Sequence, residues 1–583
     1  MSGAKIGRMG PRARIRNFSD GSTGRLEHQR AVLADPFYYL ENFQSALSLL
    51  ERRYGDLLSS EELQFIGQFA ELPRPSRALL VRMIMRNGAL FRLSRLRYPE
   101  IGDTAEAAAP LIGAGWLEHP RLDVRQLHRL LTKEELVRCL RLPKALCRLD
   151  KSTLLQALVE HHLESRPFEE WCKDTRDRVY RPIVKSLAER LRLMFFGNFH
   201  QGWSEFVLAE LGIYRYETVR LQSAPFRRRG HIEALQQLHQ CHRDLEEGAG
   251  PVEVMTAMPP PIADCEWLED IRQRLLFQIA CVCEKRRDDA PAALAMLLTC
   301  RHRGARARAI RLMERLGQWQ AARDLCCVAR ESPESESERQ RLRRVLPRLN
   351  RKLGIVGDGT GEPPAVATFE VSLEPPQSDR RIELTVRDLL ARREAASSSV
   401  HYVENGLINS LFGLLFWDAI FAPIPGAFFH DFQSGPADLE SDRFLERRRN
   451  QFAQRFADLE SGDYRSTIRR RFVAKAGIQS PFVAWGLLTR RLLELALRCF
   501  PASHLRLYFD WIARDVVDNR AGFPDLIQFW PDQARYRMVE VKGPGDRLQD
   551  NQRRLFEFCA RHDMPVFVCQ VRIASQYALR LPP

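Results

Sequence analysis

Across most of residues 36–353, apolar positions recur every three to four residues, the spacing of helices that each bury one stripe. Tyr39, Leu40, Phe43, Leu47 and Leu50 form the first such stripe, and Ser59-Ser60-Glu61-Glu62 opens the next helix. Three short helices are predicted at 77–85, 89–97 and 104–112, ending at Gly113-Ala114-Gly115. Leu131-Thr132-Lys133-Glu134-Glu135 and Lys151-Ser152-Thr153 start two more, joined by a short extended connection. Residues 169–216 continue helical with many aromatics, and 232–353 are helix-prone almost throughout, with Ala321, Ala322 and Leu325 able to share one face. After residues 354–364, which have the Gly/Pro composition of a linker, the period changes. A strand is predicted at 368–373, a helix at 385–394, a polar loop at 395–399 and an apolar helix that stops at Pro423 and Pro425. Two β-prone runs, 523–530 and 535–542, flank Pro531-Asp532-Gln533-Ala534, a turn composition, and so predict an antiparallel hairpin. The fold class expected is multidomain: largely α-helical N-terminal and middle regions followed by an α/β domain.

Composition narrows what such a chain does. With 583 residues and 45 % hydrophobic content, several packed domains are expected and global disorder is excluded. A formal charge of +15 favours an anionic partner, nucleic acid ahead of a membrane surface because no amphipathic basic helix stands out. The one apolar stretch of membrane length, 411–429, contains Asp418 and two prolines and reads as a buried helix, with Asp418 and Trp417 structural. The first 25 or so residues are rich in Arg and Gly and lack the apolar core of a secretory signal; they fit a disordered arm, an extended start site or a transit peptide. Thirteen cysteines without a CxxC pair fit reduced, buried thiols of a cytoplasmic protein, not a zinc module or a disulfide framework. A nucleoid-associated, cytoplasmic location is the expectation if the source is bacterial.

The candidate chemistry lies in the hairpin. If its turn is symmetric about Asp532-Gln533, Asp525 falls opposite Glu540, and two carboxylates so placed repel unless a cation lies between them. Lys542, two residues past Glu540, projects from the same face of its strand. All-oxygen ligation suits Mg²⁺ or Mn²⁺ in preference to zinc, and such an ion can clamp a phosphate and ionise water while the lysine orients that water. A Glu-x-Lys pair alone is a common solvated strand pair. The longer order is more specific: Pro524-Asp525, then Glu540-Val541-Lys542, then Gly543-Pro544-Gly545-Asp546-Arg547 and a helix carrying Gln552.

This order resembles the PD-(D/E)xK nuclease signature, and VEVKGPGDRLQDNQ resembles its virus-type replication-repair (VRR-NUC) branch. The segment VENGLINSLFGLLFWDAIF, 403–421, is similar to the one that precedes the nuclease hairpin in the Fanconi-associated nuclease family. That resemblance runs from about residue 87, weakly at first and strongly after Tyr402. It implies metal ligation by Glu404, Asp525, Glu540 and the Val541 backbone carbonyl, with Lys542 and Gln552 completing the catalytic set. It also implies a structure-specific DNA repair nuclease that cuts near 5′ flaps in branched DNA and degrades 5′ to 3′. The chain departs from the animal form in having no ubiquitin-binding zinc finger. A monomer is expected, with a dimer on DNA left open; a Holliday-junction resolvase and a non-catalytic DNA-end scaffold are the alternatives.

DNA-gripping candidates lie outside the hairpin. Residues 122–166 resemble a SAP segment, in which Lys151 and helix N-termini contact phosphates. Arg227, Arg228 and Arg229 fit either a phosphate grip or a solvated charge run, as do the triplets 447–449 and 469–471. Arg92, Arg95 and Arg97 belong either to a winged-helix-like module or to a helical scaffold with a basic face; Arg520 and Arg547 are further DNA-binding candidates. The domain order expected is 1–30 basic arm, 31–121 helical domain, 122–166 SAP-like segment, 167–353 helices including tetratricopeptide-like ones, 354–366 linker and 367–583 nuclease.

Overall fold

The structure, a computed structural model, describes residues 36–573 apart from 87, 162–163, 174, 176, 207–213, 223, 287–288, 357–364, 375–380, 394–397 and 442. The basic arm and most of the expected linker and polar loop therefore lie outside the described residues. The described residues divide into two compact units: those within 1–46, 68–185 and 202–214 form one; those within 47–67, 186–201 and 215–583 form the other.

In the first unit, helices Arg74–Ile84 and Thr104–Gly113 accompany a three-stranded sheet in which Val179–Pro182 lies between Phe91–Arg92 and Leu117–Glu118. The helix expected at 89–97 is instead a strand followed by a 3-10 turn. Phe91 and Arg92 pair with Tyr180 and Val179, and Arg92 bonds Asp177 and Glu135, both at 2.8 Å. Nine residues carry a weak helical signal, and tertiary pairing outweighs it. Arg92 is thereby held within the protein. In the SAP-like stretch, Thr132 and Glu135 form the capping box of helix Lys133–Leu140, and Asp150 accepts the Ser152 and Thr153 N–H groups at the start of Lys151–His161. Leu127, Leu136, Leu154 and Trp171 share the core of this stretch. Cys139 and Cys172 are joined there by a disulfide, which corrects the expectation of reduced thiols; the eleven other cysteines are free. Residues 33 apart in sequence give no spacing signal of pairing.

The second unit contains a run of helices, Arg229–Glu247, Glu266–Cys283, Ala290–Thr299, Ala305–Arg315, Trp319–Glu331 and Glu336–Lys352, in which the last five pack each on the next. The buried small-residue stripe of Trp319–Glu331 is Ala322, Cys326 and Ala329, with Ala321 turned to solvent. Glu284, 4 % exposed, is compensated by Arg308, Arg311 and Arg315.

The α/β domain follows with strands β1 (Thr368–Leu373), β2 (Ser399–Tyr402), β3 (Leu526–Trp530), β4 (Arg535–Lys542) and β5 (Val566–Ile573), in the sheet order β1-β5-β4-β3-β2. The pairs β1/β5 and β5/β4 are parallel; β4/β3 and β3/β2 are antiparallel. Helices α1 (Ile382–Arg393), α2 (Gly406–Leu415) and α3 (Asp550–Arg561) position the site. All of β3, and α2 from Leu407 onward, are buried, as apolar runs without alternation require. Asp418 bonds Arg471, whose guanidinium also reaches the Leu414 and Leu415 carbonyls at the end of α2. Arg447 and Arg448 bond Asp438, and Arg469 bonds Glu494, so much of both basic triplets is engaged within the fold. Among the described residues no helix is long and apolar enough to cross a membrane.

Candidate active site

The hairpin forms as its composition dictates. Pro531–Gln533 makes a 3-10 turn, Ala534 takes φ +46°, and the register Leu526↔Val539 runs on toward Asp525 and Glu540. Asp525 does not pair further: its Oδ2 accepts the Val541 N–H at 3.0 Å, while its own carbonyl accepts the Val403 and Glu404 N–H groups at 2.8 and 3.1 Å. The turn from β2 into α2 is thus pinned to the start of β3.

Glu540 and Lys542 are 2 % and 7 % exposed and lie 2.9 Å apart, Nζ to Oε1. Gln552, in the first turn of α3, connects them: its Nε2 donates to Glu540 Oε1 at 2.6 Å, and its Oε1 accepts Lys542 Nζ at 3.0 Å and the Gln549 N–H at 2.9 Å. Glu540 Oε2 is buried with no hydrogen-bond partner among the described residues. Burial, and then the nearby Asp525, push the Glu540 carboxyl up to about 7 against the restraint of Lys542 and Gln552. Burial raises Asp525 to about 6, opposed first by the Val541 N–H, with Glu383 and Glu404 adding to the rise.

Glu404 is exposed and stands at φ +34°, in the left-handed region that non-glycine residues rarely occupy. α2 begins only at Gly406, so Glu404 is no first-turn acid of that helix. Its Oε2 instead accepts the Tyr402 hydroxyl at 2.5 Å. Tyr402 and Glu383 were not legible as site residues: Tyr402 is an ordinary strand aromatic, and Glu383 lies 142 positions before Asp525 at the start of another helix.

A divalent ion suits this donor set. An orphaned buried carboxylate oxygen and two carboxyls raised by burial and by neighbouring acids, Asp525 beside Glu540 and Glu383 and Glu404 beside Asp525, are what a hard cation would relieve. Among the described residues no group of three or more His, Cys, Asp or Glu is gathered at ligating spacing.

The DNA-binding candidates are scattered. Lys151 is half-buried at its helix start in the first unit, where its carbonyl meets His128 Nε2 at 2.8 Å. Arg228 bonds Asp264, and Arg229 bonds the fully buried Glu62, which leaves Arg227, exposed, as the member of that triplet without such a pair among the described residues. Arg520 lies 4.0 Å from Glu440, and Arg547 is exposed in the loop between β4 and α3.

Residues 37–118 match the family described as the FAN1 HTH domain, 121–171 the Fanconi anemia-associated nuclease SAP domain and 459–573 the VRR-NUC domain. The last match begins after Glu404, although β1 and β2 belong to the same sheet as the hairpin. A Fanconi-associated nuclease 1 homolog of Pseudomonas aeruginosa is 49 % identical over 544 residues, covering 93 % of this chain and 97 % of that protein. One from Arabidopsis thaliana is 23 % identical over 94 % of this chain and 68 % of its own length. Two crystal structures of paFAN1, bound to 2-nt and 1-nt 5′ flap DNA with gap, superpose with TM-scores of 0.88 and 0.85 at 49 % identity, over 93 % of this chain and 99 % and 100 % of theirs. The helical regions followed by a mixed-sheet nuclease domain, and this relationship over nearly the whole length, establish that the chain belongs to the Fanconi-associated nuclease family of structure-specific DNA repair nucleases.

Proposed function

We propose that this chain hydrolyses phosphodiester bonds at 5′ flaps and in other branched DNA, with 5′-to-3′ exonuclease activity, using Mg²⁺ or Mn²⁺ held by Glu404, Asp525, Glu540 and the Val541 carbonyl. The single observation that carries the reading is the buried, unpartnered Oε2 of Glu540 beside Asp525 and Lys542. When bound, the ion would supply charge stabilisation at the scissile phosphate and lower the pKa of the attacking water. Lys542 then has the task of orienting that water, because its ammonium is fixed by Glu540 and Gln552 and cannot wander. Gln552 serves both partners at once and so sets the lysine's direction relative to the carboxylate. Asp525 keeps one oxygen on the Val541 N–H and has the other to offer. One such site working as a monomer matches an asymmetric flap.

The test offers end-labelled flap, fork, nicked, four-way and single-stranded DNAs to wild type and Asp525→Ala, with Mg²⁺, with Mn²⁺ and with chelator. Wild type is expected to cut flaps only with metal, and Asp525→Ala to bind DNA normally without cutting. Metal-dependent cutting by the alanine variant would remove Asp525 from the site, and a preference for four-way junctions would install the resolvase reading instead.

A further inference from the structure

The groups of the nuclease site come from three separated segments, 402–404, 525–542 and the first turn of α3, and these meet at Gly522. The Gly522 and Phe523 N–H groups both donate to Asn405 Oδ1, at 2.8 and 3.0 Å. On its other side Gly522, at φ +97°, approaches α3 so closely that a Cβ there would stand 2.8 Å from the Asn551 carbonyl carbon and 3.0 Å from the Gln552 nitrogen. Only glycine fits, for conformation and for space. Asn409 Nδ2 closes the arrangement by donating to the carbonyls of Asn405 at 2.6 Å and Arg520 at 2.7 Å. Asn405 occupies the position before α2, where an asparagine usually caps the helix. Its side chain makes no bond to the N–H groups of α2 among the described residues; its oxygen serves the 520–525 segment instead.

We propose that Asn405 is a positioning residue of the nuclease: through Gly522 it fixes Glu404, Asp525 and Gln552 relative to one another. Its backbone follows directly on Glu404, its side chain holds the two N–H groups that precede Pro524-Asp525, and the glycine it holds is the surface on which the Gln552 turn rests. Without the acceptor two N–H groups lose their partner, and the Gly522 turn that rests against Gln552 is no longer tied by this side chain to the residue after Glu404. The proposal rests on the nuclease reading above.

The experiment compares Asn405→Ala, Asn405→Asp, Gly522→Ala and the Asn405→Ala/Gly522→Ala double variant in flap cleavage, in thermal melting, and in calorimetric Mn²⁺ binding without DNA. Asn405→Ala is expected to lose about 10²-fold in kcat with KM for flap DNA changed by less than about twofold, and to bind Mn²⁺ about tenfold more weakly. Asn405→Asp keeps an acceptor in place and should return kcat to within about fivefold of wild type. Because both single changes break one junction, the double variant should fall no more than about threefold below the worse single. Wild-type kcat and Mn²⁺ affinity in Asn405→Ala, equal losses in the Ala and Asp variants, or losses that multiply in the double variant would each overturn the proposal. If Asn405→Ala does not fold, Asn405→Asp against Gly522→Ala decides: near-normal cleavage by Gly522→Ala defeats the junction. A wild-type protein that does not cut at all defeats the nuclease reading, and that result is distinguishable from any of these.

Discussion

Among single residues, Glu404 combines two features that a surface acid has no reason to combine, a left-handed backbone and a tyrosine bonded to its carboxylate. Strain of this kind persists where surrounding bonds impose it, here the two N–H groups tied to the Asp525 carbonyl. Glu404→Gln keeps the shape and removes the charge, so kcat should fall by about 10²-fold or more while the metal-free Tm stays within about 1 °C. Near-normal cleavage in the same preparation would retire Glu404 from the site. His430 gives a stability prediction of the opposite kind. It is fully buried beside Phe195 and Phe196, its Nδ1 accepts the Phe432 N–H at 3.0 Å, and burial lowers its pKa to about 3. The unfolded chain takes up this proton near pH 6.5 and the fold does not, so its contribution is complete above about 6.5 and lost as pH falls toward 3. The slope should be about 1.4 kcal/mol per pH unit. Urea titrations from pH 7 to 5 should show it, and His430→Asn, which keeps an acceptor, should flatten it; an unchanged slope would mean that His430 is not the group responsible. That Asp525, Glu540 and Lys542 lie together was legible in the sequence because strand alternation fixes which side chains share a face. Glu383 and Asn405 were not legible, since their roles arise from contacts with segments more than a hundred positions away, and Tyr402 was not because nothing local marks a strand tyrosine as the partner of an acid two positions on.

At the level of elements, the middle helices reach the nuclease domain itself. Glu336–Lys352 lies against α3: Arg344 bonds Asp550 at 2.6 Å, and Arg554 bonds Gln340 at 3.2 Å and the Asp518 carbonyl at 3.3 Å. Arg303 reaches the same corner through Asp515 and Asp518. These bonds steady the helix that carries Gln552. They are not equal, because the Arg344–Asp550 pair is about half exposed whereas Asp515 is nearly buried. Arg344→Ala should cost less than about 1 kcal/mol. Arg303→Ala leaves a buried carboxylate without its cation and should cost about 2–3 kcal/mol. Denaturant midpoints of the two variants check the order; equal costs would mean that solvent screens both pairs alike. Hairpin, β1 and the SAP-like helices were readable in the sequence because each has a local signal: a turn, an alternation or a capping box. The strand at 91–92 and the stripe Ala322-Cys326-Ala329 were missed, since pairing and packing with distant segments select them from patterns that fit other solutions equally well.

For the whole molecule, the charge of +15 says less about DNA than its size suggests. Many arginines serve the fold: three surround Glu284, two hold Glu62, and Arg306, Arg348 and Arg469 are each paired with a glutamate. Total charge therefore could not identify the binding residues from sequence, although it pointed correctly to an anionic partner. On the proposed reading DNA is held by arginines outside this set, and exposed Arg227 and Arg547 are the candidates to test. Contacts of this kind release counterions, and six to ten of them would weaken flap binding by about 10³–10⁵-fold between 50 and 200 mM salt. Carboxylates that hold metal, as proposed above, would displace no counterion from DNA, so Asp525→Ala should show the same slope of log Kd against log salt as wild type. Arg547→Ala should lower that slope by about one. Fluorescence anisotropy with labelled flap DNA and chelator present measures all three proteins under one condition, without cleavage. A wild-type slope near zero would show that phosphate contacts do not hold the DNA. A slope that changes in Asp525→Ala and not in Arg547→Ala would place the grip at the catalytic carboxylates and remove Arg547 from the DNA surface.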